Sequence, residues 1–162
     1  MIRIEIYTDG SCNQAKKTGG SAFIILENGE VKHKNSQSFT ETTNNQCEML
    51  AVINACEFLD SREYFEEPHI TVYSDSAYMV NAFLKDWISN WLKNGWKTSS
   101  KEPVLNRDLW ESLIFYQKKY NINFEHYEEC LTELFNESFD DAKLFVKQKD
   151  LREKLAKIQE AG

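Results

Sequence analysis

The sequence predicts an α/β protein with a mixed β-sheet and helices on both of its sides. Residues 2 to 39 contain three strand-like segments in succession, and the rest of the chain alternates helical with strand-like segments. Strands joined by turns favour antiparallel pairing, whereas strands separated by helices favour parallel pairing. The 162 residues, with scarce Gly and Pro, are typical of one globular domain. We therefore expect a single domain over residues 1–162.

The three N-terminal strands follow from alternation and turn residues. The first strand alternates isoleucine with polar residues, and we expect it to end at Asp9, before a long polar loop. A Gly19-Gly20 pair precedes the second strand, and Asn28-Gly29 is a hairpin turn signal before the third. The predicted strands run from residue 2 to 8, from Ser21 to Glu27 and from Val31 to about Phe39.

Residues typical of helix N-termini predict where helices begin in the rest of the chain. Thr43 and Gln46 have the spacing of a capping box, which predicts a helix that runs to about Leu59. Asn106 is the predicted N-cap of a helix that ends near Tyr120. The other predicted strands run from Ile70 to Ser74 and from Ile122 to Tyr127. The other predicted helices start at Asp75-Ser76, ending near Leu84, and at about Asn136. The charged end of the last helix, at about 150–162, is expected to fray.

The charge distribution limits nucleic-acid contacts to one part of the chain. A net charge of -7 and a sequence pI near 5.1 argue against general binding to a polyanion. The segment 85–107, however, is basic and rich in tryptophan. It contains Lys85, Lys93, Lys97, Lys101 and Arg107 against only Asp86 and Glu102. Any polyanion is therefore expected to bind at this segment.

The cysteines and the hydropathy pattern predict a protein of a reducing compartment. The four cysteines lack the spacing of a zinc site or a disulfide framework, and they are expected to be buried apolar residues; they are Cys12, Cys47, Cys56 and Cys130. No signal peptide precedes the first strand, and no apolar segment approaches the roughly 18 residues of a membrane span. We expect a cytoplasmic monomer without membrane contact.

Glu48 is the most informative acidic residue. On a helical wheel it falls near the centre of the apolar face of its helix, whereas Glu57 and Asp60 fall on the opposite side. A carboxylate that faces the core is costly unless it is protonated, paired or bound to a cation. Asp9 is expected at the C-terminal end of a strand, where open α/β sheets present ligand groups.

Asp75 and Asp140 each have an ordinary structural alternative. Asp75 could be a helix N-cap, and Asp140 could be one of several acids that complement a helix dipole, as could Asp141. If the four acids converge, their mutual repulsion requires a cation. Oxygen ligands without a His or Cys cluster suit Mg²⁺ or Mn²⁺ better than zinc.

Taken together, these motifs resemble those of type I ribonucleases H of the bacterial-like form. The likeness extends over about residues 3 to 146. The matching residues are Asp9-Gly10-Ser11-Cys12 with Gly19-Gly20; Thr42-Thr43-Asn44-Asn45 leading to Glu48; Asp75-Ser76 with Tyr78; Trp87-Ile88-Ser89-Asn90-Trp91, Asn94-Gly95-Trp96-Lys97-Thr98, Pro103-Val104, Asn106 and Asp108-Leu109-Trp110; and Asn136-Glu137 with Asp140. Residues 85–107 resemble the basic handle of that family, and we call them the handle.

The resemblance implies a fold and a reaction. The fold is a mixed five-stranded sheet, three strands antiparallel and two parallel, in which the strands that end at Asp9 and Asp75 are neighbours. The reaction is hydrolysis of the RNA strand of an RNA/DNA hybrid, which leaves 5′-phosphate and 3′-hydroxyl ends. Asp9 would bridge two Mg²⁺ ions, Asp140 would help to hold the ion that carries the attacking water, and Glu48 with Asp75 would hold the other.

The resemblance also implies a substrate-binding surface. Thr43 matches a residue that binds a DNA-strand phosphate, and Asn44 and Asn45 match residues that reach the minor groove. Trp91 matches a residue that packs on the DNA strand. The full expected set is Gly10, Ser11, Cys12, Thr43, Asn44, Asn45, Trp87, Trp91, Lys93, Trp96 and Lys97. Because Trp87, Trp91 and Trp96 alternate with lysines, we interpret them as a hybrid-binding face, and core packing as the role of Trp110.

Three positions depart from the family pattern. Cys130 stands where the common form has a loop histidine, Ala77 replaces the glutamine that usually follows the Asp-Ser pair, and Ala15-Lys16-Lys17 replaces an Asn-Pro-Gly segment. The absence of the loop histidine predicts slower turnover or an altered metal preference rather than loss of chemistry, and the absence of the glutamine removes one minor-groove contact. For His33, His69 and His126 we expect surface or core roles.

Two alternatives compete with a hybrid-specific endonuclease. One is a catalytically weak or inactive hybrid-binding protein on the same fold, suggested by Cys130 and Ala77, although all four acids are present. The other is a protein-interaction domain, suggested by the acidic composition, which leaves a buried Glu48 unexplained. Assays with a labelled hybrid, a DNA duplex and an RNA duplex, with and without Mg²⁺, discriminate among the three.

Overall fold

A computed structural model describes residues 1–126 of the chain. The strands are β1 (Arg3–Asn13), β2 (Thr18–Glu27), β3 (Glu30–Phe39), β4 (His69–Ser74) and β5 (Asn123–His126). The helices are α1 (Asn44–Asp60), α2 (Ala77–Leu84), α3 (Trp87–Lys93) and α4 (Arg107–Tyr120). The helix predicted from Asn136, its charged end at about 150–162, Cys130 and Asp140 lie outside the described residues.

The sheet has the predicted mixed topology. Its strand order is β3-β2-β1-β4-β5. The pairs β1–β2 and β2–β3 are antiparallel, whereas β1–β4 and β4–β5 are parallel. The two parallel pairs arise where helices separate the strands in sequence, as the sequence predicts. This arrangement makes β1 and β4 neighbours.

The predicted end of β1 at Asp9 is wrong. β1 continues to Asn13 and β2 begins at Thr18, so a tight turn replaces the expected polar loop and Gly19-Gly20 lies inside β2. Asp9 faces Ala22 in the middle of this ladder. The strand continues because its partner β2 supplies hydrogen bonds beyond the isoleucine alternation, which is the only part that sequence periodicity detects. The predicted turn at Asn28-Gly29 is confirmed, since both residues have positive φ.

The start of α1 is the predicted capping box. The Thr43 hydroxyl accepts a hydrogen bond from the Gln46 backbone N–H, and the Gln46 side chain accepts one from the Thr43 backbone N–H. Both orphan N–H groups are thus satisfied, and the first turn of α1 has a fixed position.

The structure shows how the helices that start near Asp75-Ser76 and Asn106 are capped. Ser76 caps α2 by accepting from the Met79 backbone N–H, so Asp75 stands one residue before the cap. Asn106 occupies the N-cap position of α4 in a left-handed conformation, but its side chain makes no capping hydrogen bond. Its Oδ1 instead accepts from Gln46 Nε2 at 2.9 Å. A tertiary partner therefore replaces the expected local one.

All four described helices contribute to one large core on one face of the sheet. Ile4 and Ile6 of β1 contribute from the sheet side, and Trp110 of α4 lies fully buried in this core, as predicted. Tyr7, Ile24 and Leu26 form a small cluster apart from it. No helix among residues 1–126 is long and apolar enough to cross a membrane.

Candidate metal centre

Three of the four predicted acids converge. Asp9, Glu48 and Asp75 each place one carboxylate oxygen within 4.8 Å of the other two. Asp9 is 5% exposed and Glu48 3% exposed, which confirms the predicted burial of Glu48. The structure thus brings together one acid from β1, one from α1 and one that follows β4.

The register of the parallel pair brings Asp9 next to Asp75. Tyr7 and Tyr73 form the last pair between β1 and β4, and their rings stack with centroids 4.8 Å apart. Asp9 and Asp75 each follow two residues later. Both strands therefore present an aspartate one alternation beyond the last paired position, on the same side of the sheet edge.

A glycine allows Glu48 to reach these two acids. A Cβ atom built on Gly10 would lie 2.4 Å from the backbone carbon of Cys47 and 2.5 Å from the backbone nitrogen of Glu48. No side chain fits there, so only glycine lets the first turn of α1 pack directly on β1. The Ser21 hydroxyl donates to the Cys47 carbonyl at 2.6 Å and fixes this contact from β2.

The environment of Glu48 favours its neutral form. Burial raises the pKa of Glu48 well above its usual value, and the neighbouring Asp75 raises it further through its charge and a shared hydrogen bond. The Gly10 backbone N–H donates to the Glu48 carboxylate and opposes part of this shift. Among residues 1–126, no hydrogen-bond donor reaches the buried Glu48 Oε2. A bound cation would remove the repulsion that raises this pKa.

The donor set fits a hard divalent cation. All three groups offer carboxylate oxygens, and within the described part of the chain no His or Cys joins them to form a softer site. Oxygen-only ligands suit Mg²⁺, Mn²⁺ or Ca²⁺. The fourth acid of the prediction, Asp140, lies outside the described residues, so its place at this centre stays a prediction.

A cavity of about 530 Å³ lies beside the start of α1. Cys12, Thr43 and Asn44 line it, and all three belong to the predicted substrate-binding set. Sequence reasoning missed Lys17 and Glu41, which also line it. Their signal is weak, because each is an exposed charge in a connecting segment. The Thr42 backbone N–H donates to the Lys17 carbonyl at 3.0 Å, which places the two segments side by side.

Three further residues of that set, Gly10, Ser11 and Asn45, belong to β1 and to the start of α1. Asn45 is exposed in the first turn of α1. Ser11 pairs through the β1 backbone with Gly20 of β2, and Gly10 forms the contact with α1 described above. Their substrate contacts stay predictions.

The handle is only partly the exposed face that the sequence suggested. Trp91 is 7% exposed and packs edge-on against Trp110 with centroids 5.1 Å apart, so its indole belongs to the core. α3 turns this side of Trp91 towards α4, and no sequence periodicity reports that packing. Trp87 and Trp96 are half-buried, each beneath a cation: Lys85 lies 6.0 Å from the Trp87 ring and Arg107 5.0 Å from the Trp96 ring. The binding roles of the three tryptophans stay predictions.

Two lysines of the handle are accessible to a polyanion. Lys93 at the end of α3 and Lys97 are both exposed. Lys97 forms an isolated antiparallel bridge with Pro103, which closes the loop between them. The hydrogen bond from Gln46 to Asn106, another contact that sequence reasoning missed, ties the end of the handle to the start of α1. The handle and the cavity therefore belong to one surface.

Comparison with known proteins identifies close relatives. Residues 2–157 match the ribonuclease H (RNase H) family. Ribonuclease H of Clostridium botulinum is 40% identical over 152 residues, which cover 87% of this chain and 98% of the relative. Ribonuclease H of Caldicellulosiruptor saccharolyticus is 40% identical over 151 residues, which cover 91% of this chain and 99% of the relative.

Solved structures show the same fold. LC11-RNase H1 in complex with an RNA/DNA hybrid superposes with a TM-score of 0.57 at 26% identity and covers 78% of this chain and 86% of its own. The RNase H domain of PFV superposes with a TM-score of 0.63 at 18% identity and covers 90% of this chain and 96% of its own; at that identity the likeness concerns the fold alone.

Proposed function

The chain belongs to the ribonuclease H family, and from this premise we propose that Asp9, Glu48 and Asp75, together with Asp140, form its catalytic metal centre. The protein is an endonuclease that hydrolyses the RNA strand of RNA/DNA hybrids by the two-metal mechanism of its family. The observation that carries the assignment of the centre is the convergence of three carboxylates, those of the buried Asp9 and Glu48 and the partly buried Asp75, where β1 and β4 lie side by side.

Mg²⁺ is the metal that we propose for this centre, with Mn²⁺ as the alternative. The support is the oxygen-only donor set and the raised pKa of Glu48, which a divalent cation would lower again. When bound, two such ions activate a water molecule and stabilise the leaving 3′-oxygen in an in-line displacement. Products with 5′-phosphate and 3′-hydroxyl ends follow from this chemistry.

The chain's own residues contribute rigidity to this reaction. The stacked pair Tyr7–Tyr73 and the β1–β4 ladder hold Asp9 and Asp75 at matched positions. The contact at Gly10 holds Glu48 against them. Because these supports belong to strands and a helix rather than to loops, they favour one arrangement of the three carboxylates before metal binds.

The substrate-binding surface is the cavity and the handle. Thr43 would bind a DNA-strand phosphate at the cavity, with Lys17 as the nearby cation, while Asn44 and Asn45 would reach the minor groove. Gly10 and Ser11 would approach the RNA strand beside the metal centre, and Cys12 would contact the substrate at the cavity. Trp87, Trp91, Lys93, Trp96 and Lys97 would support the DNA strand at the handle.

We further propose that the protein is a single-domain monomer located in the cytoplasm. Cys12, Cys47 and Cys56 are unpaired thiols, which supports a reducing compartment. Within the described residues the basic surface and three acids of the metal centre lie in one fold, which supports a subunit that binds and cleaves by itself. Light scattering of the purified protein measures the oligomeric state.

Replacement of one acid tests the assignment. Asp9→Asn keeps the shape of the side chain but removes its charge, so we expect no detectable cleavage of a labelled hybrid in Mg²⁺ and an unchanged circular dichroism spectrum. A DNA duplex, an RNA duplex and a metal-free reaction are the controls, and the wild type should leave all three intact. Substantial Mg²⁺-dependent cleavage by the folded variant would exclude Asp9 from the centre.

A further inference from the structure

His126 lies beside the metal centre although neither the sequence motifs nor the reaction uses it. Ser74 of β4 and His126 of β5 form the last pair of their parallel ladder. The imidazole Nε2 of His126 lies 3.2 Å from the carbonyl oxygen of Asp75, the first residue beyond β4. A carbonyl oxygen only accepts hydrogen bonds, so Nε2 is the donor in this contact.

The peptide unit that follows Asp75 is held at both of its polar groups. Its carbonyl oxygen accepts from His126. Its N–H, which belongs to Ser76, donates to the hydroxyl of Ser74 at 3.1 Å, and Ser74 is fully buried. Since a peptide unit is planar, fixing both groups restricts ψ of Asp75.

This restriction acts on the carboxylate. The direction of the Asp75 side chain depends on the backbone angles of Asp75, and its carboxylate must meet those of Asp9 and Glu48 within 4.8 Å. Ser76 belongs to the same short segment as Asp75 and moves with it, whereas Ser74 is the last residue of β4. His126 belongs to β5, so its hydrogen bond ties the carbonyl group of Asp75 to a neighbouring strand.

We propose that His126 is a positioning residue of the metal centre, which orients Asp75 for cation binding through the hydrogen bond to its carbonyl oxygen. The inference rests on the proposed function of Asp75 as a metal ligand. It concerns no reacting atom, since the imidazole acts through the backbone. Through His126, the edge strand β5 contributes to the geometry of the metal centre.

Three variants test the proposal. His126→Leu removes the donor, and we expect roughly tenfold weaker Mg²⁺ binding by the substrate-free protein, measured by isothermal titration calorimetry, because loss of a group that orients a metal ligand costs about 10- to 100-fold. We expect kcat for hybrid cleavage to fall similarly with an unchanged KM, since the cavity and the handle are unaltered. His126→Gln places an amide N–H near the position of Nε2 and should restore both values.

His69→Leu is the matched control. His69 is an exposed histidine in β4 that also contacts β5, since its Nε2 lies 3.4 Å from Asn123 Nδ2, but it lies at the opposite end of the strand pair. This variant should bind Mg²⁺ and cleave as the wild type does. A loss in His69→Leu equal to that in His126→Leu would mean that the β4–β5 pair is merely destabilised, which overturns the proposal.

Two further results would overturn the positioning role of His126. One is a wild-type Mg²⁺ affinity in His126→Leu, and the other is a folded His126→Gln variant whose Mg²⁺ affinity and kcat stay as low as those of His126→Leu. Asp9→Asn measured alongside separates this inference from the function on which it rests. If Asp9→Asn still cleaves, the metal centre itself is misassigned. If it is inactive while His126→Leu equals the wild type, only the positioning role fails.

Discussion

At the residue scale, Glu48 combines a cost in stability with a role in catalysis. Its carboxylate is buried beside Asp75, so without a cation the protein is more stable when Glu48 is protonated. A carboxyl whose pKa is raised by folding stabilises the fold fully below its unfolded pKa of about 4.3. That contribution is lost as the pH rises through the raised folded pKa. The same burial prepares the side chain to hold a metal ion.

Glu48→Gln should therefore stabilise the metal-free protein while abolishing cleavage. Above the raised pKa we expect the free energy of unfolding to increase on the order of 1 kcal/mol, because glutamine carries no charge to desolvate. The difference should vanish near pH 4, where both side chains are neutral. Urea unfolding in a chelator across this pH range measures it.

Glu57→Gln is the control for this experiment. Glu57 is exposed on the same helix, so its replacement should leave the pH dependence of stability unchanged. Added Mg²⁺ should stabilise the wild type and Glu57→Gln but not Glu48→Gln. Parallel stability curves for Glu48→Gln and the wild type at every pH would contradict the electrostatic account of this site.

At the scale of secondary-structure elements, the contact between β1 and α1 decides whether the acids meet. Gly10 stands where a Cβ would overlap the backbone of Cys47 and Glu48. Backbone atoms at the start of a capped helix cannot move as a flexible side chain does. An added methyl group must therefore shift the first turn of α1, which includes Glu48.

Gly10→Ala should lower both stability and activity. We expect a loss of about 1–3 kcal/mol in the free energy of unfolding from overpacking. We also expect at least about a hundredfold loss of kcat, since a displacement near 1 Å can have that effect on catalysis. Thermal unfolding and hybrid cleavage below the transition temperature measure the two losses.

Gly29→Ala separates these two effects. Gly29 has φ of 87° in the β2–β3 turn, a conformation that alanine adopts only with strain. This variant should lose stability but keep wild-type cleavage per folded molecule. Equal activity in Gly10→Ala and Gly29→Ala would show that the close approach of α1 is not needed for catalysis.

At the scale of the whole molecule, a basic surface must act within an acidic protein. The net charge of -7 repels a polyanion at long range. The exposed Lys93 and Lys97 offer phosphate contacts at short range. Salt screens the long-range repulsion. It also weakens each lysine–phosphate contact, so the slope of the logarithm of the binding constant against the logarithm of the salt concentration reports how many such contacts the handle makes.

Lys93→Glu and Lys97→Glu should each weaken hybrid binding and lower the salt slope of its logarithm by about one unit. The measurement is fluorescence anisotropy of a labelled hybrid in Ca²⁺ or chelator at several salt concentrations. Lys118→Glu, at an exposed lysine of α4 outside the handle, should change the slope little. Slopes unaltered in the first two variants would exclude the handle as the binding face.

The sequence by itself determined the features that depend on neighbouring residues. The β2–β3 turn and the capping box of Thr43 follow from local conformational preferences, and the mixed sheet follows from the succession of strands and helices. The burial of Glu48 could also be predicted, because a helix repeats every 3.6 residues and the spacing of apolar residues in the sequence therefore identifies its buried face. The motifs of the acids further indicated the family and the reaction.

Only the tertiary structure decided the features that depend on partners distant in sequence. Pairing with β2 extends β1 beyond Asp9, and packing against Trp110 of α4 buries Trp91. The Asn106 side chain accepts a hydrogen bond from Gln46 instead of capping its own helix. The contact of His126 with Asp75 likewise joins residues 51 positions apart. Such pairings depend on which elements lie side by side after folding, and neither periodicity nor local propensity contains that information.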